Sequence, residues 1–181
     1  MAGKKYKGRR AYLNDFKKNE EGNYEYQGIL YRWMGEKETL RKEKFLLWLI
    51  FGGMMTALII TGCLDAPGLM NSFFVILPFS ISFVFGVSTG WGLWRMTTGG
   101  EVLRAYVYEA SVEKLPFRSG GVLVCTFASI LGEMMYVFKH GFGENFFKIL
   151  AFLLMEGLIS AFSLLFIQRI RQMCWEKQTS N

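Results

Sequence analysis

From residue 45 onward the chain alternates between long apolar runs and polar breaks. Four runs stand out, at 45–64, 73–94, 121–138 and 146–167. Each is close to the length an apolar helix needs to cross a hydrocarbon core of ~30 Å at ~1.5 Å per residue. Two of the breaks are short, Asp65-Ala66-Pro67-Gly68 and residues 139–145, and one is long, residues 95–120. The pattern predicts an all-α integral membrane protein whose four transmembrane helices form two antiparallel hairpins. Residues 1–44 then make a cytosolic N-terminal segment, 45–171 the transmembrane domain, and 172–181 a cytosolic tail.

Local signals refine this outline. Gly22, Gly28 and Gly35 punctuate an aromatic stretch with Tyr24, Tyr26 and Tyr31, whose partial alternation suits extended chain or a short strand. From Glu36 the sequence favours helix, with Glu38 and Lys42 one turn apart, and is expected to run straight into the first span. In the long connection Val102, Leu103, Tyr106 and Ala110 fall on one helical face and Glu101, Arg104 and Tyr108 opposite. That predicts a short interfacial amphipathic helix between spans 2 and 3, ended by Pro116 and Gly120-Gly121. Pro78 should kink span 2, because it has no N–H for the carbonyl of Phe74.

Charge gives the orientation. Of 21 Lys and Arg, 12 precede Phe45, four lie in 95–120 and three follow residue 167. The first turn has none; the second has Lys139, with Lys148 just inside span 4. The positive-inside rule therefore puts both termini and the long connection in the cytosol. Trp48, Trp91 and Trp94 fall at that same end of their spans. The expected location is a cell membrane, multi-pass, with a bacterial cytoplasmic membrane favoured by the compact build. The first run lacks a small-residue cleavage site and reads as a retained signal-anchor. A net charge of +6 and the run Lys4, Lys5, Lys7, Arg9, Arg10 raise the question of nucleic acid. Since the bases flank apolar segments, the lipid bilayer, with anionic lipid at the N-terminal segment, is the expected partner instead, and no nucleic acid.

Catalytic signatures are missing: there is no HExxH, GxSxG or P-loop sequence. Three Cys without CxxC spacing and one His give no expectation of a metal, and no cofactor is expected. Two features remain. Ser82, Gly86 and Gly90, at four-residue steps, form a helix-packing face for span 1, span 3 or a second copy of the chain. Glu133 and Glu156 are acids in runs where hydrocarbon is expected, which is costly and marks a functional candidate.

Each acid continues a polar stripe: Thr126, Ser129 and Glu133 on span 3, and Glu156, Ser160 and Ser163 on span 4. Counted from the turn, the acids should stand at matching depth and form one intramembrane polar seam for a proton, a cation or a partner. The leading expectation is a non-catalytic component of a membrane complex: a subunit, scaffold or assembly partner, as a homo- or hetero-oligomer. The alternative is a small proton- or cation-coupled transporter component that uses the carboxylate pair.

Overall fold

The structure is a computed structural model and describes residues 13, 15–18 and 22–178. The basic run at 4–10, expected on a membrane surface, lies outside the described residues. Six α-helices follow one another: α1 (Lys37–Cys63), α2 (Pro67–Asn71), α3 (Phe73–Thr98), α4 (Ala105–Ala110), α5 (Leu115–His140) and α6 (Phe146–Gln172). Of these, α1, α3, α5 and α6 are long and apolar enough to cross a membrane. They cover the four apolar runs, except for Leu64 at the end of the first, and extend beyond them where the flanking polar residues still favour helix. Thus α1 includes the polar turn from Lys37, and α6 continues through Arg169 and Arg171.

The connection between α3 and α5 differs from the expected interfacial helix. Val102–Arg104 form a strand, and only Ala105–Ala110 remain helical. Nor do Pro116 and Gly120-Gly121 end anything. Pro116 sits in the first turn of α5, where its missing N–H costs no helical bond. Gly121 lies inside α5 against the ring of Phe85, and a Cβ there would come within 2.7 Å of it.

The long helices form a closed ring in the order α1, α6, α5, α3. The broadest contacts are α3 with α5, α1 with α6, and α5 with α6. The second hairpin therefore packs as a hairpin, whereas α1 and α3 are each tied more firmly to it than to one another. Where α1 and α3 do meet, side chains of α1 fill the small-residue face of α3. A Cβ at Gly86 would lie 2.9 Å from Sδ of Met55, and one at Gly90 2.5 Å from the ring of Phe51. Ser82 on the same face is fully buried. On α1, Gly53 takes the ring of Phe162 from α6, and Ala57 and Thr61 continue that buried face.

At one end of the ring the three polar segments meet in a sheet. Strand β1 (Phe16–Lys18) pairs with β2 (Tyr24–Tyr26) as a separate two-stranded ribbon. Strand β3 (Leu30–Trp33) is central in an antiparallel sheet of order β4-β3-β5, where β4 is Val102–Arg104 and β5 is Trp175–Gln178. One strand thus comes from the N-terminal segment, one from the long connection and one from the tail. An even number of crossings brings all three to the same end, and the sheet joins them there.

Strand alternation explains the join. Tyr31 and Trp33 point to the helices and Arg32 points away. Tyr31 stacks on Tyr108 at 3.9 Å, and Trp33 meets Trp175 edge-on at 5.7 Å. Leu103 is 1% exposed beneath them, a burial that contributes about 1.5–3 kcal/mol in water. On the ribbon, partial burial raises the Tyr26 phenol above its ordinary pKa, and its hydroxyl donates to the carbonyl of Ile29 at 3.2 Å. The guanidinium of Arg104 lies over the rings of Phe16 and Tyr26 and ties the ribbon to β4.

Candidate functional site

The α5–α6 interface carries the polar residues singled out in the sequence. Ser119, Thr126, Ser129 and Glu133 on α5 and Glu156, Ser160 and Ser163 on α6 are all buried. Three-and-four spacing puts each set on one helical face, and the antiparallel hairpin turns the two faces together.

The pair nearest the sheet fixes the register. Ser119 Oγ and Ser163 Oγ lie 2.8 Å apart, and Ser163 also donates to the carbonyl of Ser119 at 2.6 Å. Seven residues along each helix from that pair come Thr126 and Glu156, which lie side by side. A further seven residues along α5 comes Glu133, level with Ile149. The two acids are thus separated by about 10 Å along the bundle axis rather than sharing one depth. Counting from the turn failed because α5 runs a full turn past the start of α6, with the 3-10 turn Gly143–Asn145 in between.

Nor do the acids pair with each other. Glu133 Oε1 accepts the N–H of Gly68 at 3.2 Å, from the first turn of α2. A Cβ at Gly68 would overlap Glu133 Oε2, so a larger residue there would displace the carboxyl group. That second oxygen has no hydrogen-bond partner among the described residues, and neither oxygen of Glu156 has one. Thr126 faces Glu156, but its hydroxyl donates to the carbonyl of Val122 at 2.9 Å. Ser129 Oγ and Ser160 Oγ are also buried without partners. Among the described residues, three carboxyl oxygens and two hydroxyls of this interface are thus buried without an assigned hydrogen bond. Among the described residues no Lys or Arg ion-pairs with either acid; at that end Lys148 pairs with the exposed Asp65, at 3.9 Å.

The two glycines beside the acids behave differently. Gly132 presses against α3 where Pro78 leaves the carbonyl of Phe74 without its helical N–H, and a Cβ at Gly132 would lie 2.7 Å from that oxygen. Gly157 is exposed, with open space around it. A cleft of about 610 Å³ opens beside Gly132, lined by Asn71, Ser72, Tyr136, Lys139 and His140 among others. It brings polar surface next to the Glu133 end of the stripe.

Two polar contacts have no local signal in the chain. Lys44, on α1, is 9% exposed and donates to the carbonyls of Gly100 at 2.7 Å and Thr97 at 3.4 Å, capping the end of α3. Arg118 donates to the carbonyls of Ser88 at 2.8 Å and Ala110 at 3.2 Å, tying α5 to α3 and α4. Lys44 stands just before the first apolar run and Arg118 just before the third, and both read as ordinary flanking charge. Only the crossing helices reveal their targets.

Comparison of the chain with protein-family models, with curated proteins and with solved structures gives no match.

Proposed function

We propose that this chain is a non-catalytic, multi-pass membrane protein in which the buried stripe on α5 and α6 binds and passes a proton. Glu156 is the central group, with Thr126 beside it and Ser160 one turn toward the sheet; Glu133 is the group toward the α2 end, and Ser129 is the hydroxyl between the two acids. The observation that carries this reading is the complete enclosure of Glu156 with neither oxygen hydrogen-bonded. A buried carboxylate without a counter-charge, whose neighbouring Thr126 hydroxyl is directed to the carbonyl of Val122, is costly, and a bound proton removes that cost.

A base on a partner subunit would need surface access to the acid, and Glu156 has none. A metal cation is less suited, since the described residues assemble no group of three His, Cys, Asp or Glu. Lys139 in the cleft near Glu133 also opposes a metal ion electrostatically. The distribution of Lys and Arg supports an orientation with the sheet end in the cytosol, and the compact build suits a bacterial cytoplasmic membrane.

The test is flux in liposomes holding the full chain, with an imposed pH gradient followed by a lumenal pH dye. The wild-type protein is expected to dissipate the gradient faster than empty liposomes, and Glu156→Gln to abolish the difference. Infrared spectra should show a protonated-carboxyl band that Glu156→Gln removes. A wild-type rate equal to that of empty liposomes, or an unchanged rate in Glu156→Gln, overturns the reading.

A second reading, a subunit or scaffold in a membrane complex, is favoured by the sheet. Among the described residues β4 and β5 each pair on one side only, which leaves two open edges at the polar end. A stoichiometric second chain after purification in mild detergent would support this reading. A lone monomer would count against it.

A further inference from the structure

We infer that the mouth between the start of α1 and the end of α3 is a binding site for the phosphate headgroup of an anionic phospholipid. The cavity has a volume of about 500 Å³ and lies between the two helices where β4 begins. Its lining includes Lys37, Arg41 and Lys44 with Glu101, and, further along α1, Phe45 and Trp48. Positions 37, 41, 44, 45 and 48 recur at the spacing of one α-helical face, so a single stripe of α1 passes from cationic to aromatic within three turns. That change is the one expected where headgroups give way to hydrocarbon.

The groups are committed unequally, and the difference identifies the ligand. Lys44 holds the end of α3 through Gly100 and Thr97, so its position is fixed. Trp48 is also anchored, its indole N–H donating to Thr97 Oγ1 at 3.1 Å. Lys37 pairs with Glu101 at 2.9 Å. Arg41 makes no hydrogen bond or ion pair among the described residues, although it lines the same cavity one turn from Lys37 and from Phe45. Three cations against one carboxylate leave a local excess of two positive charges. The free one is a guanidinium, whose planar fork matches two phosphate oxygens.

The floor decides between a soluble phosphate and a lipid. Inorganic phosphate offers nothing to Phe45, which is 71% exposed beside the mouth, or to the face of Trp48. A phospholipid places its phosphate on Arg41 and Lys37 and lays its first acyl carbons along the two rings. The volume falls within the ~300–1,000 Å³ typical of small-molecule pockets and suits a headgroup, while the chains remain outside in the bilayer.

The experiment titrates the full-length protein in detergent with short-chain phosphatidylglycerol, phosphatidylcholine or inorganic phosphate, and reads bound lipid by native mass spectrometry. Wild-type protein is expected to prefer phosphatidylglycerol over phosphatidylcholine. Arg41→Gln should weaken phosphatidylglycerol by roughly tenfold, and Arg41→Lys by less, because charge is kept and the fork is lost. Lys42→Gln removes the same charge one position away, outside the cavity, and should match wild type. Arg41 is exposed, so its variants are expected to fold, and an unchanged melting temperature without lipid checks this. Equal binding of the two lipids, or equal losses in Arg41→Gln and Lys42→Gln, overturns the site. Arg41-dependent binding of inorganic phosphate that phosphatidylglycerol does not displace overturns the lipid assignment.

Discussion

The two ends of the α5–α6 interface use similar polar residues to opposite effect. At the sheet end Ser119 and Ser163 satisfy each other, hydroxyl to hydroxyl and hydroxyl to carbonyl, within 2.6–2.8 Å. Seven residues further along, Glu156 has two buried oxygens and no donor, while Glu133, at the far end, has one oxygen held and one free. Small hydroxyls that pair reciprocally hold helices together. Carboxyl groups that do not pair contribute no such bond, and their retention in the interior needs another reason. Cohesion and chemistry are thus separated along one interface.

This contrast is open to direct attack by mutation. The largest effect is expected at the far end, where α5 touches α3. Gly132→Val would drive side-chain atoms into the Phe74 carbonyl and should cost about 3 kcal/mol, the upper part of the range for overpacking. Thermal unfolding in a fixed detergent reads the loss. A change below about 1 kcal/mol would mean that α3 and α5 are not in close contact there.

Next comes the sign test at Glu156. If its carboxyl makes no structural bond, Glu156→Leu should stabilise the fold by about 1–3 kcal/mol, because an unsatisfied buried polar group is removed. The same variant should lose proton flux. Destabilisation by Glu156→Leu would instead show that the acid holds the helices, and would merge the two ends of the interface into one class. The smallest effect belongs to the serines. Ser119→Ala should destabilise by about 0.6 kcal/mol, the usual scale for a polar contact between membrane helices. Combining it with Ser163→Ala should cost less than the two single losses together, which a double-mutant cycle reads.

Much of the architecture was legible from the chain. The four apolar runs became four long helices, and the alternating aromatic stretch became strands β2 and β3. The long connection is ambiguous in the chain, because Val102, Leu103 and Tyr106 fit one helical face while Val102–Arg104 also fit a strand of three residues. Pairing with β3 decided for the strand, and β3 lies about 70 positions earlier in the sequence. The Ser, Thr and Glu stripes of the candidate site were visible at their helical spacing. Their relative height was not, because it depends on how far α5 extends past the start of α6. The capping of α3 by Lys44 was equally invisible, since a lysine before an apolar run carries no sign of which carbonyls it will reach.

Composition and short-range period set the number of long apolar helices, the polar faces of α5 and α6, and the grouping of Lys and Arg at one end. These follow from 3.6-residue geometry and from the cost of placing charge in apolar surroundings, both local in the chain. Tertiary structure decided what depends on register between distant segments. It brought 30–33, 102–104 and 175–178 into one sheet and set α1 and α3 mainly against the second hairpin. It also placed Glu156 beside Thr126 while holding Glu133 under α2. Register is set by close packing at a few small residues, such as Ser119 against Ser163 and Gly132 against Phe74, and no single segment contains both halves of such a contact.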